Sequence, residues 1–414
     1  MTMYKVNFSR LQQDIETLAE IGRSEEDHGL YRMALSENDL LARQWLKQRI
    51  MDAGLEYDID AAANIQARLP AATATTTVMT GSHLDTVPGA GHLDGALGVM
   101  AGLECLRSIK EQNIPIAHSL ESVAFTDEEG RFGGMLGSQA ICGMLTPEWI
   151  HNAHDLEGKT LTATMAEMGM PAINILRAKR TPESIHAFVE LHIEQGPVLE
   201  QQQMSIGAVD AISGLLRWNA RLIGEANHAG TTPMNMRKDP LQGFTEVASA
   251  LPRILEENGS PRSTATIGYV NCFPGAANVV PGRVEFSLDL RDTNMEILVD
   301  AASALRRTIS AIARRRNLMF EYEEVSRLEA AKCDSGIVEI IKAVSRDFGY
   351  PVMQLHSGAA HDSMMMARIA RTAMVFVPSM AGRSHSPAEW TSWEDIEKGA
   401  NVLLNTLIKL ANES

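Results

Sequence analysis

Thr75-Thr-Thr-Val-Met-Thr80-Gly-Ser-His83-Leu-Asp85-Thr86, followed by Asp94-Gly-Ala-Leu-Gly98, sets a β-branched run before a polar loop and an apolar helix start. β-Branched side chains suit a pleated surface, so Thr75 to Thr80 is predicted as a strand that carries His83 to its carboxyl end. There an imidazole can bind a divalent cation, while Asp85 faces the opposite side of the pleat or turns behind His83. Asp94 opens a helix over Ala96 to Lys110, and strand, loop and helix in this order form one step of an α/β layer. An isolated H-x-D fits a surface loop as readily as a metal site, so its company decides.

Outward from this stretch the α/β rhythm continues. Ser36-Glu-Asn-Asp39 resembles a capping box before Leu40, Leu41, Trp45, Leu46, Ile50 and Met51, which repeat at helical spacing until Gly54. Further strands are predicted at Leu120 to Thr126 and Ala187 to Ile193. From residue 212 the order becomes strand (Leu215 to Ile223), helix (Pro240 to Glu257), strand (Thr264 to Asn271), strand (Arg283 to Leu290), helix (Met295 to Arg315) and strand (Leu318 to Glu323). That is the split βαβ, ferredoxin-like unit, inserted into the first domain. A helix (Ile337 to Phe348), a strand (Thr372 to Val377) and a helix (Trp393 to Ala411) complete the interrupted domain. The expected division is 1–211 and 328–414 for the α/β domain and 212–327 for the insertion.

The 414 residues suffice for two or more domains, and 45% hydrophobic with 21% charged residues is an ordinary globular balance. A net charge of −15 argues against sequence-independent nucleic-acid binding, which needs clustered cations; Arg314-Arg315-Arg316 reads as a solvated helix end. Cys105, Cys142, Cys272 and Cys333 form no C-x-x-C and suggest neither a zinc knuckle nor a disulfide framework. Met1 to Arg10 has no apolar core, and no run of about 18 apolar residues occurs, so a cytoplasmic, membrane-free protein is expected.

Four segments place histidine or carboxylate at the end of a strand-like run: His83, Asp127-Glu128-Glu129, His192 in Glu190-Leu-His192-Ile-Glu194-Gln195, and His385 in Arg383-Ser-His385-Ser-Pro. Ligands of open α/β sheets gather beyond the strands' carboxyl ends. His83, Asp94, Glu129, His192 and His385 make a donor set for zinc, or for manganese, cobalt or nickel. With Asp94 bridging, one metal sees His83 and His192 and the other Glu129 and His385, leaving Glu128 as base toward a metal-bound water. Taken singly, a histidine near a strand end is more often a satisfied core or surface residue, and Glu128-Glu129 a solvated turn. His28, His92, His118, His151, His154 and His186 are given no role.

Together, T-G-S-H-L-D-T-V, D-G-A-L-G, D-E-E-G-R-F, E-L-H-I-E-Q-G, N-H-A-G-T-T-P-M, N-V-V-P-G and S-G-A-A-H-D resemble, in order and spacing, the amidase, hydantoinase/carbamoylase family of the aminoacylase-like dinuclear metallopeptidase superfamily. The resemblance runs from about Arg32 to the C-terminal helix. It implies a mixed-sheet, zinc-peptidase-like catalytic domain with a ferredoxin-like α+β lid that also forms a homodimer. It implies two divalent metals, Glu128 as general base and Asp85 orienting His83. It further places His228, Asn278 and Arg291 of the lid, with Gln195, Ser357 and Gly358, at a small ureido-acid substrate. The reaction implied is hydrolysis of an N-carbamoyl-L-amino acid, with allantoate or N-carbamoyl-β-alanine as alternative substrates. A dipeptidase, an aminoacylase or a binding protein without chemistry lies further off. His361 and Asp362 read equally as pocket groups or as a helix start. Ala360 stands where relatives often have glycine, and the loop after Glu129 is short; both bear on the substrate rather than on the metals.

Overall fold

The computed structural model describes residues 3–72 and 74–413. The chain forms two compact units, one from residues up to 210 with 333–355 and 361–413, the other from 211–332 with 356–360.

In the first unit a mixed sheet runs in the order Glu56–Ile59, Ile65–Leu69, Ser119–Phe125, Thr77–His83, Ile185–Ile193, Arg371–Val377 and Ile206–Ile212. Ser119–Phe125, Thr77–His83, Ile185–Ile193 and Arg371–Val377 are mutually parallel, and the outer pairs are antiparallel. Side chains alternate across the pleat, so Val78 and Met79 enter different cores. Val78, Leu120, Val189, Leu191 and Val375 pack with the helices Phe8–Ala19, Ala96–Glu111, Ser335–Asp347 and Trp393–Leu410. Met79, Val123, Phe125 and Phe188 pack with Ile141 and Met366, which lie on the short helices Leu136–Ile141 and Asp362–Met366. Parallel neighbours need a crossover, and Ala96–Glu111 supplies the one between Thr77–His83 and Ser119–Phe125. It lies close to the sheet because Gly98 has no side chain; a Cβ there would stand 2.5 Å from the Leu191 carbonyl oxygen.

The second unit is an antiparallel sheet in the order Val270–Phe273, Arg283–Asp292, Gly214–Ile223 and Met319–Leu328. The helices Pro240–Asn258 and Met295–Arg315 cover one face through Val247, Leu251, Leu305 and Ile309, which meet Leu222, Phe286 and Leu288. The expected strand Thr264 to Asn271 is broken into Thr264–Thr266 and Val270–Phe273, both paired with Arg283–Asp292. Gly268 and Tyr269 donate their N–H groups to the Ser287 hydroxyl at 3.1 and 3.2 Å, and this side-chain capture interrupts the ladder. Val352–Ser357, which pairs with Ile206–Ile212, was not expected, because Val-Met-Gln-Leu-His-Ser shows neither strict alternation nor a β-branched run. Among the described residues no helix is long and apolar enough to cross a membrane.

Candidate metal centre

Parallel strands end on the same edge of their sheet, and the segments at that edge hold His83, Asp127-Glu128-Glu129, His192 and Ser384-His385. Asp94 enters from the start of the crossover helix and stands among them. Its Oδ1 lies 3.6 Å from His83 Nε2 and 3.1 Å from His192 Nε2. Its Oδ2 lies 3.2 Å from His385 Nε2, and Glu129 Oε1 lies 3.5 Å from the same nitrogen. Glu128 Oε2 is 3.6 Å from His83 Nε2. Among the described residues four sets of three donors bring ligating atoms within 4.8 Å of one another: two share Asp94, one with His83 and His192 and one with Glu129 and His385, while a third joins His83 with Glu128 and Glu129 and a fourth Glu190, His192 and His361.

The ring hydrogen bonds show which nitrogens face Asp94. His83 Nδ1 is 2.9 Å from the Asp85 carbonyl oxygen, and His192 Nδ1 is 2.9 Å from that of Ile193. A carbonyl only accepts, so each Nδ1 carries a proton, and Nε2 is the nitrogen left to bind a cation once its own proton is given up. The Gly95 N–H donating to His192 Nε2 at 3.1 Å agrees. Lone pairs and carboxylate oxygens that converge in a buried volume repel unless positive charge lies among them. Their spacing of 3.1–3.6 Å brackets the about 3.3 Å between ligands of a tetrahedral cation with bonds of about 2.0 Å. Glu129 Oε1 is buried without a hydrogen-bond donor, as a group awaiting a cation would be.

The crowding also governs protons. Burial opposes charge on His83, yet Glu128 and Asp94 lift its pKa well above the usual range. Asp94 raises His385 to about 9 against the effect of burial. Burial lifts Glu128 well above the usual carboxylate range, with repulsion from Glu129 adding and His83 opposing. Burial and then Asp94 lift Glu129 to about 7. Asp94 itself, despite burial, is held well below its usual value by hydrogen bonds from His192, His385 and His83.

Further contacts hold these groups in place. Asp85 meets the His83 ring through its main-chain carbonyl, because the loop curls back beneath the imidazole. Its carboxylate instead accepts from the N–H groups of Glu128 (3.4 Å) and Glu129 (3.1 Å), holding the turn that presents both. Asp127, at φ +56°, secures the other side of that turn by accepting from Phe132 N at 3.0 Å. Gln195 donates to Asp94 Oδ2 at 2.6 Å, so it orients the shared carboxylate. Gly95, at φ +65°, cannot carry a side chain, since a Cβ would lie 2.4 Å from the His83 ring.

Glu389 escaped the sequence reading. It is 2% exposed, its Oε1 accepts from Leu93 N at 2.9 Å and Asp94 N at 3.1 Å, and its Oε2 is 2.8 Å from Ser384 Oγ. Ser384 Oγ is in turn 2.7 Å from Asp94 Oδ2. One carboxylate thus ties the Asp94 loop to the His385 loop; the available signal was an acid between Ala388 and Trp390, four residues past His385. Glu389→Ala is expected to weaken divalent-metal affinity about 10- to 100-fold in competition with a chelating dye, with unchanged circular dichroism. Unchanged affinity would remove Glu389 from this role. Glu190 also went unread: it binds Ser82 Oγ at 2.6 Å and Ser363 Oγ at 2.7 Å beneath His192, whose ring meets that of His361 edge-on at 4.5 Å.

Within the second unit, His228 and Asn278 are brought together, since Asn227–His228 pairs with Val279–Val280 and Ala229 N donates to the Asn278 carbonyl at 2.9 Å. His228 Nδ1 accepts from Gly230 N (3.0 Å) and Thr231 N (3.2 Å), so the neutral ring has its proton on Nε2. Arg291 lies against Asp289, with Nε 2.8 Å from Oδ1, and donates through Nη1 to the Gly358 carbonyl at 2.7 Å. The Ser357 hydroxyl is used locally, 2.9 Å from the Ala359 carbonyl oxygen. None of His28, His92, His118, His151, His154 and His186 belongs to a ligating cluster among the described residues.

Parallel strand ends that gather imidazoles and carboxylates around one shared aspartate make a candidate divalent-metal site, the kind of site a hydrolase of the peptidase type can use. Residues 79–409 match the model of peptidase family M20/M25/M40, and the chain belongs to that family. It is 37% identical to an N-carbamoyl-L-amino acid amidohydrolase of Geobacillus stearothermophilus, over 97% of this chain and 98% of that one. It is 35% identical to an allantoate amidohydrolase of Bacillus subtilis, over 96% of each. A crystal structure of an amidase of the hydantoinase/carbamoylase family from Burkholderia multivorans superimposes with a TM-score of 0.92 at 34% identity, covering 99% of both chains. The chain is an amidohydrolase of the carbamoylase and allantoate amidohydrolase type.

Proposed function

We propose that this amidohydrolase cleaves the ureido C–N bond of an N-carbamoyl-L-amino acid, giving the amino acid, ammonia and carbon dioxide. The observation that carries the reading is the division of Asp94, one oxygen toward His83 and His192 and the other toward His385 near Glu129, a donor set for two divalent cations of the zinc, manganese, cobalt or nickel kind. Such cations, when bound, polarise a carbonyl and acidify water. Glu128 takes the proton of the attacking water and passes it to the departing nitrogen, and the turn held by Asp85 and Asp127 keeps its carboxylate in place.

The remaining roles rest on side-chain chemistry. His228 offers Nε2–H because two main-chain donors occupy Nδ1, and with the Asn278 amide it stabilises the oxyanion. Arg291, its guanidinium aligned by Asp289 and Gly358, recognises the substrate carboxylate. Gln195, Ser357 and Gly358 border the substrate. Residues 212–327 serve as a lid, inserted between catalytic segments 1–211 and 328–414, and as the interface of a cytoplasmic homodimer.

The test is ammonia release from N-carbamoyl-L-methionine, allantoate and N-carbamoyl-β-alanine by chelator-treated protein reloaded with each metal. Loss on chelation, recovery on reloading and preference for the amino-acid derivative are expected; preference for allantoate would overturn the substrate. Arg291→Ala is expected to raise KM for the carboxylate substrate by about 10- to 100-fold, as the loss of a charge-assisted pair does. An unchanged KM would count against that assignment.

A further inference from the structure

We infer that Glu190 is a positioning residue whose buried carboxylate clasps the parting ends of two strands and thereby sets the spacing of His83 and His192 around one cation. The inference rests on the metal centre of the proposed function and names the group that holds half of it together. Ser119–Phe125 lies on one side of Thr77–His83 and Ile185–Ile193 on the other, so the sheet reverses its direction of growth between Thr77–His83 and Ile185–Ile193. Strands at such a reversal leave a crevice at their carboxyl ends. The ladder between these two runs from Thr77 and Ile185 to Thr80 and Val189, whereas the strands themselves continue to His83 and Ile193. The helix Ala96–Glu111 begins over this gap: a Cβ on Gly98 would stand 2.5 Å from the Leu191 carbonyl oxygen and 2.8 Å from Ser82 Cβ. Pairing on the outer sides anchors each histidine separately, His83 opposite Phe125 and His192 opposite Phe376. What fixes one relative to the other therefore lies in side chains.

Glu190 supplies that link. It is fully buried and stands two residues before His192, and alternate residues of a strand share a face. Its Oε1 accepts from Ser82 Oγ at 2.6 Å, and Ser82 immediately precedes His83. Its Oε2 accepts from Ser363 N at 3.1 Å and from Ser363 Oγ at 2.7 Å, close to where the His361 ring meets that of His192 edge-on. Glu190, His192 and His361 bring ligating atoms within 4.8 Å of one another, yet the trio is a strut rather than a further cation site. Both Glu190 oxygens already take hydrogen-bond donors, in contrast with Glu129 Oε1, which has none among the described residues. What Glu190 contributes is reach. One methylene fewer would draw the carboxylate back by about 1.5 Å, the length of a C–C bond, so that it no longer joins Ser82 to Ser363.

The test measures divalent-metal affinity by competition with a chelating dye, each change being made in His385→Ala protein, where the group of Asp94, His83 and His192 is left complete. Glu190→Gln keeps the length, accepting from Ser363 through its oxygen and donating to Ser82 Oγ through its nitrogen, and is expected to stay within about fivefold of the His385→Ala parent. Glu190→Asp keeps the carboxylate and loses the reach; like Glu190→Ala, it is expected to weaken affinity about 10- to 100-fold with circular dichroism unchanged. Ser82→Ala removes one arm without touching Glu190, is expected to cost about tenfold, and decides the matter should the shorter variants not fold. A residue that served the fold alone would lower the melting temperature of the metal-free protein and leave the folded protein's affinity unmoved. Parental affinity in Glu190→Asp or Ser82→Ala, or a Glu190→Gln variant as weak as Glu190→Ala, would overturn the clasp while cation binding by the parent upholds the centre. A His385→Ala protein that holds no cation would overturn the group of His83 and His192, and the inference with it.

Discussion

Glu128→Gln is expected to lower turnover of N-carbamoyl-L-methionine by roughly 10³-fold, within the range a positioned acid–base group contributes. The amide keeps the shape of the carboxylate and the main-chain bond from Glu128 N to Asp85, so the turn persists. It cannot accept and return a proton. Metal content by mass spectrometry should match the parent protein, because the two groups sharing Asp94 do not need Glu128. Ammonia release above about a tenth of the parent rate would remove Glu128 from the base's position.

Asp94→Asn is expected to take turnover to background and metal content to below one equivalent per chain. Its two oxygens face different histidines, so one neutral amide weakens both groups at once. His385→Ala is the informative comparison. His385 is 49% exposed and belongs to one group only, so it should cost one equivalent and spare the pair of His83 and His192. Full retention of the His385 and Glu129 cation in Asp94→Asn would show that Asp94 does not bridge.

Much of this geometry is legible in the chain because parallel strands convert sequence order into a place: a polar residue at the end of an apolar run falls on one edge of the sheet. His83, Glu129 and His192 could be read in that way, and Asp94 by its position before an apolar helix. The groups that hold them could not. Asp85 serves through a carbonyl toward His83, and a main-chain contact leaves no mark on residue choice. Glu389 acts across nearly 300 residues of chain, on Leu93 and Asp94, and no spacing rule reaches so far. The bulge at Gly268 depends on one hydroxyl, Ser287, on the neighbouring strand, and propensity alone reads the segment as continuous. Regular elements answer to local periodicity, whereas supporting contacts answer to a tertiary arrangement that periodicity does not encode.

Asp85, Asp94, Glu128, Glu129 and Glu389 sit together where water is scarce, and their mutual repulsion works against the native state. An ion that binds only the folded chain offsets this by about 2.7 kcal/mol at a hundredfold excess over its dissociation constant. Heat tolerance should therefore follow trace-element supply: protein grown in starved medium, or dialysed against EDTA, should melt earlier and be degraded sooner in the cell. The cluster proposed to carry out hydrolysis is thus expected to tie the molecule's lifetime to nutrition, and equal melting temperatures with and without EDTA would refute that link.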